Sequence, residues 1–111
     1  MEIASRILKI REGQSERQIP IRIFAPEKTK DASWSCRYEI DWPGEKREMT
    51  AFGVDAVQAI LLAMELIGAE LYTSTYHKAG ALFFNRPGSG YGFPVAQSLR
   101  DQLVGDDANF L

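Results

Sequence analysis

The chain has 111 residues, 45% of them hydrophobic and 25% charged. This fits one globular domain burying roughly 66% of its unfolded surface and excludes a multidomain enzyme, a collagen or coiled-coil repeat and a disordered chain. Thirteen Lys and Arg against fifteen Asp and Glu give a formal charge of −2, the wrong sign for neutralising a phosphate backbone, so nucleic acid is not an expected partner.

At the N-terminus, charges interrupt the apolar residues of Met-Glu-Ile-Ala-Ser-Arg-Ile-Leu-Lys-Ile-Arg every few positions. That is not the pattern of a secretory signal. Ile3 to Ile10 is expected as a strand, joined through the polar loop Arg11 to Arg17 to a second strand from Gln18 to Ala25. There Ile19, Ile21, Ile23 and Ala25 share one face, with Gln18, Pro20, Arg22 and Phe24 on the other. Pro20 has no N–H for a ladder, which places this strand at an edge or gives it a bulge. Residues 1–52 carry ten basic and nine acidic side chains, interleaved as in Arg11-Glu12, Glu16-Arg17 and Glu45-Lys46-Arg47-Glu48. Such alternation reads as solvated strand edges and hairpin tips.

The clearest period of two runs from Ser33 to Trp42, where Trp34, Cys36, Tyr38, Ile40 and Trp42 point one way. Period-two aromatics opposite an amphipathic helix form a core more often than a ligand cage. Cys36 is the only cysteine, which excludes an intrachain disulfide and a multi-thiolate zinc site and points to a reducing, cytoplasmic setting. Between Trp34 and Tyr38 it reads as a small core residue. Pro43-Gly44 supplies a type II turn into a fourth strand, Lys46 to Phe52, and the four strands make a meander. Phe24 and Phe52 are expected on its outer face.

At Gly53 the period changes to 3.6. Val54, Val57, Ile60, Leu61, Met64, Ile67, Gly68 and Leu71 form one stripe. Asp55 with Gln58 three residues later reads as an N-cap, so a helix is expected from Asp55 to Tyr72. Ala56, Ala59, Ala63 and Gly68 let it lie close against a sheet or a partner. The longest apolar run, Ala59 to Met64, is far short of the roughly 20 residues that cross a bilayer, so no membrane association is expected. A polar loop, Thr73 to Lys78, then leads to a short strand, Ala81 to Phe84, and a glycine-rich loop ending in Gly92-Phe93-Pro94. A short helix from Ala96 to Val104 follows, with Gly105 as its C-cap, and Asp106 to Leu111 is expected as a frayed tail.

The segment Gly53 to Tyr72, with Leu82-Phe83-Phe84 and Gly92-Phe93-Pro94, resembles a group of small uncharacterised bacterial proteins described only as a domain of unknown function. Gly53, Asp55, Gln58, Ile67-Gly68 and Gly92-Phe93-Pro94 carry the resemblance, over residues 53–95. It implies no established activity and no site residues.

No motif names a reaction. Gly88-Ser-Gly-Tyr-Gly92 has neither the dinucleotide nor the P-loop spacing. His77 is the only histidine and cannot make a two-histidine metal site, so no metal and no cofactor are expected. Asp55 and Glu65 stand about 15 Å apart along a helix, too far to share one bond of a substrate. No Gly-x-Ser-x-Gly elbow surrounds any serine, and no catalytic residue is assigned.

The expected architecture is α+β: an antiparallel meander of four to five strands (1–52) packed on one main helix (53–72), followed by a strand, the glycine-rich loop and a short helix (73–111). The leading functional expectation is a non-enzymatic interaction module that presents its open sheet face or an edge strand to a protein partner or to itself as a homodimer. The alternative is a small-molecule or anion binder, even a minor enzyme, with Tyr72, His77, Arg86, Gly88, Gly90, Tyr91 and Gly92 around a pocket near the glycine-rich loop.

Overall fold

The computed structural model describes residues 1–111. Period-two segments become β1 (Glu2–Glu12), β2 (Ser15–Phe24), β4 (Trp34–Trp42) and β5 (Glu45–Gly53), each antiparallel to the next. Two short strands complete the sheet. β3 (Glu27–Lys28) pairs with the start of β4, and β6 (Leu82–Phe83) pairs with Lys9 and Ile10 of β1. The α+β meander expected from the pattern is present, with α1 (Ala56–Thr73) lying over β4 and β5.

Alternation sorts the strands as expected. Leu8, Ile10, Ile19, Ile21, Ile23, Cys36, Tyr38, Ile40 and Ala51 form the buried inner face. The Cys36 thiol donates to the Phe24 carbonyl, and burial pushes its pKa up, as fits an inert core thiol. The expectation for Pro20 needs correction, because β2 is internal, between β1 and β4. The strand tolerates proline because its ladder to β4 begins only at Ile21, one residue later.

Asp55 caps α1 by accepting from the Gln58 N–H, while Gln58 Oε1 accepts from the Val54 N–H. The buried face of the helix differs from the expected stripe. Ala59, Ala63, Ile67 and Leu71 lie against the sheet, so the alanines make the internal contact and are not a free surface. The helix lies so close to the sheet at its start that a Cβ on Gly53 would fall 2.5 Å from the Ala59 nitrogen, and larger side chains on this face would overpack it. Val57, Leu61, Met64, Gly68 and Tyr72 share a second face at helical spacing. The chain's own C-terminal segment covers this face at Gly68 and Tyr72, and Met64 is half-buried. Val57 is 75% exposed and Leu61 47%. By length and composition α1 could cross a bilayer, yet one of its faces is committed to the sheet.

The C-terminal segment also departs from expectation. Ala96 to Val104 does not form an α-helix. It holds a 3₁₀ turn, Gln97–Gln102, preceded by a four-residue helix α2 (Thr75–Lys78) earlier in the chain. The residues expected to fray form α3 (Asp106–Phe110), in which Asp107 is only 2% exposed. Three hydrogen-bond donors inside the molecule draw that carboxylate in.

Candidate functional site

Three of the singled-out residues converge at the C-terminal end of α1. The rings of Tyr72, His77 and Tyr91 pack mutually, with centroids 4.8 to 5.5 Å apart. His77 is positioned by α2, whose cap Ser74 accepts from the His77 N–H, and its Nδ1 hydrogen-bonds the Tyr91 hydroxyl. At the centre of the cluster is a residue that sequence reasoning missed. Asp107 Oδ2 accepts from the Tyr72 hydroxyl at 2.6 Å and the Tyr91 N–H at 2.8 Å, and its Oδ1 accepts from the Gly92 N–H at 2.8 Å. Gly90 sits against the Asp107 side chain. The Tyr72 hydroxyl also accepts from the Val104 N–H.

The remaining candidates lie elsewhere. Arg86 and Gly88 are exposed in the preceding turn, where the Arg86 carbonyl accepts from the Ser89 N–H and hydroxyl and the Ser89 carbonyl accepts from the Asp106 N–H. Neither supplies a cation to the cluster; the one that reaches it is Arg6, whose Nη1 donates to the Tyr91 carbonyl at 2.9 Å. Burial, reinforced by the Asp107 charge, pushes the Tyr72 and Tyr91 hydroxyls well above the usual tyrosine range. Burial also lowers the pKa of His77. These groups are neutral near pH 7, and the buried Asp107 is fully hydrogen-bonded. The arrangement ties the glycine-rich loop and the tail to the end of α1. No set of three or more His, Cys, Asp or Glu side chains is grouped to hold a metal ion.

The outer face of the sheet is charged at its centre. Glu39 is nearly buried among Arg22, Arg37 and Lys46, and Arg22 also pairs with Asp41 at 3.0 Å. Arg37 lies over the Phe24 ring at 3.7 Å, which covers one of the two outward phenylalanines. Phe52 is left 60% exposed. Edge strand β5 presents the exposed Glu45, Lys46, Arg47 and Glu48, a charge pattern that discourages strand pairing. On the other side of the sheet, Val57 and Leu61 of α1 are 75% and 47% exposed, and Val54, just before the helix, 77%.

A cleft opens along the flank of α1 that faces β1 and β2, between the start of β1 and the loop after Gly90. Ile21 and Ile23 line it together with Ile60 and Met64 of the helix, Phe93 of the loop, and Arg6.

A family model described as a domain of unknown function, DUF6968, matches residues 4–95. No curated protein and no solved structure matches the chain. The matched span includes all of the sheet but the first two residues of β1, together with α1 and the Tyr72–His77–Tyr91 cluster, and it ends before Asp107.

Proposed function

The chain belongs to this family of unknown function, and from its surface we propose that it is a non-enzymatic protein-interaction module acting in the cytoplasm, with a second copy of itself as its partner. One observation carries the reading. The apolar face of α1 that the chain's own C-terminal segment covers at Gly68 and Tyr72 is left bare at Val57 and Leu61, and Val54 just before the helix is exposed too. Large apolar side chains at this exposure, in a row and not scattered singly, mark association surfaces. The centre of the open sheet face is neutralised by its own ion pairs and the β5 edge is charged, so the docking surface is the first two turns of α1. A two-fold axis beside Leu61 lets Val57 and Leu61 meet their counterparts, the commonest form of self-association. A single cysteine, buried in the core, fits a reducing compartment.

Light scattering on the purified chain tests this. A dimer mass is expected for the parent, and a monomer mass for V57E/L61E with an unchanged far-UV circular dichroism spectrum. A parent that stays monomeric at a concentration of roughly 1 mM, where even weak dimers form, would overturn self-association.

A further inference from the structure

The cleft beside β1 has the makings of a ligand site, and its key residue is Arg6. Five arginines (Arg11, Arg17, Arg22, Arg37 and Arg47) pair with carboxylates. Arg86 and Arg100 have no such partner but stand exposed to water. Arg6 alone is half-buried with no acid within 4.0 Å. Its position is nevertheless fixed. Nη1 donates to the Tyr91 carbonyl at 2.9 Å, and the guanidinium lies 4.6 Å from the Phe84 ring centroid and 5.3 Å from that of Phe93. Gly92 makes this possible, since a Cβ there would fall 2.0 Å from Nη1. The two rings and one carbonyl hold the group, while Nε and Nη2 find no hydrogen-bond acceptor within the chain. A guanidinium held in this way offers a fork of donors to a carboxylate.

The rest of the cleft is apolar and encloses about 170 Å³ between Ile21, Ile23, Ile60, Met64 and Phe93. A cavity of about 150 Å³ accepts a benzene ring. We propose that this cleft binds a small organic monocarboxylate carrying one aromatic ring or a short branched chain, its carboxylate on the free edge of Arg6 and its tail between Ile23, Ile60, Met64 and Phe93. Charge complementarity selects the anion, and the volume limits the tail. The site does not depend on self-association through Val57 and Leu61.

Titrations of the ¹⁵N-labelled chain with benzoate, phenylacetate and 3-methylbutanoate, followed by amide shifts, test the proposal, with benzyl alcohol as the neutral counterpart and inorganic phosphate as the anion without a tail. A Kd of about 1 mM or tighter is expected for at least one carboxylate, with shifts centred on Ile21, Ile23, Ile60 and Met64. Benzyl alcohol is expected to bind at least tenfold more weakly because it lacks the charge-assisted pair, and phosphate likewise because it has no apolar tail to bury. R6Q is expected to lower carboxylate affinity about tenfold while leaving the benzyl alcohol titration unchanged, a split that general unfolding does not produce. M64W, which fills the cleft, is expected to abolish the shifts from every tailed ligand. V57E/L61E is expected to bind the carboxylate as the parent does, which keeps this result separate from that of the dimer. No saturable shifts at these residues with any carboxylate, or equal losses of acid and alcohol in a folded R6Q, would overturn it.

Discussion

Asp107 and His77 belong to one cluster, Asp107 as its hydrogen-bond acceptor and His77 as a buried ring. Asp107 accepts three hydrogen bonds in a nearly dry site, where each charge-assisted bond contributes more than a neutral one. The imidazole of His77, by contrast, is favoured in its neutral form, because burial lowers its pKa from the ordinary value of 6.5. A histidine whose folded pKa lies below its unfolded one binds fewer protons when folded. Its contribution to stability is therefore complete above about pH 6.5 and is lost as the pH falls from there through the folded value. Urea midpoints measured between about pH 7.5 and about pH 5.5 are expected to fall with acidity in the parent, and to fall less in H77Q, which cannot titrate. Parallel profiles for the two proteins would show that His77 is not the group responsible.

At the scale of elements, α1 shows how packing overrides propensity. Replacing a helix-interior glycine by alanine ordinarily stabilises by about 1 kcal/mol. At Gly68 the added Cβ would lie 2.0 Å from the Pro94 carbonyl oxygen and 3.0 Å from Val95 Cγ1, so the loop that covers the helix must move. G68A is accordingly expected to destabilise by about 1–3 kcal/mol, lowering the thermal midpoint by roughly 4–8 °C per kcal/mol. A rise in the midpoint would mean that the loop is not seated as described. The same element marks how far the sequence could be read. The change from period two at Phe52 to period 3.6 after Gly53 locates the sheet-to-helix boundary, and Asp55 with Gln58 locates the cap. Periodicity does not say how much of an apolar face the chain itself will cover. Val57 and Leu71 therefore stand in one stripe in the sequence, although one is exposed and the other buried. Pro20 is misjudged for a related reason, since the length of a ladder between neighbouring strands is set by three-dimensional offset and not by composition.

For the whole molecule, the decisive contact joins residues far apart in the chain, Tyr72 and Asp107. The aromatic half of the cluster could be anticipated, because Tyr72, His77 and Tyr91 lie next to turns that bring the chain back on itself. Its acidic half could not. Asp106 to Leu111 is a short polar tail with no periodicity, and local pattern offers no reason for one of two adjacent aspartates to be buried while the other is exposed. Only the closed fold supplies the three donors that make the difference. The family match ends at residue 95, so this chain closes its matched region with a segment lying outside it. Deleting Gly105 to Leu111 would leave the Tyr72 hydroxyl and the Tyr91 and Gly92 N–H groups without their acceptor. The deletion is expected to cost about 2–4 kcal/mol, visible as a lower urea midpoint, and D107A in the full-length chain is expected to reproduce most of the loss. A truncated chain within about 0.5 kcal/mol of its parent would return these residues to the status of a frayed tail, since surface changes away from such contacts stay within that range.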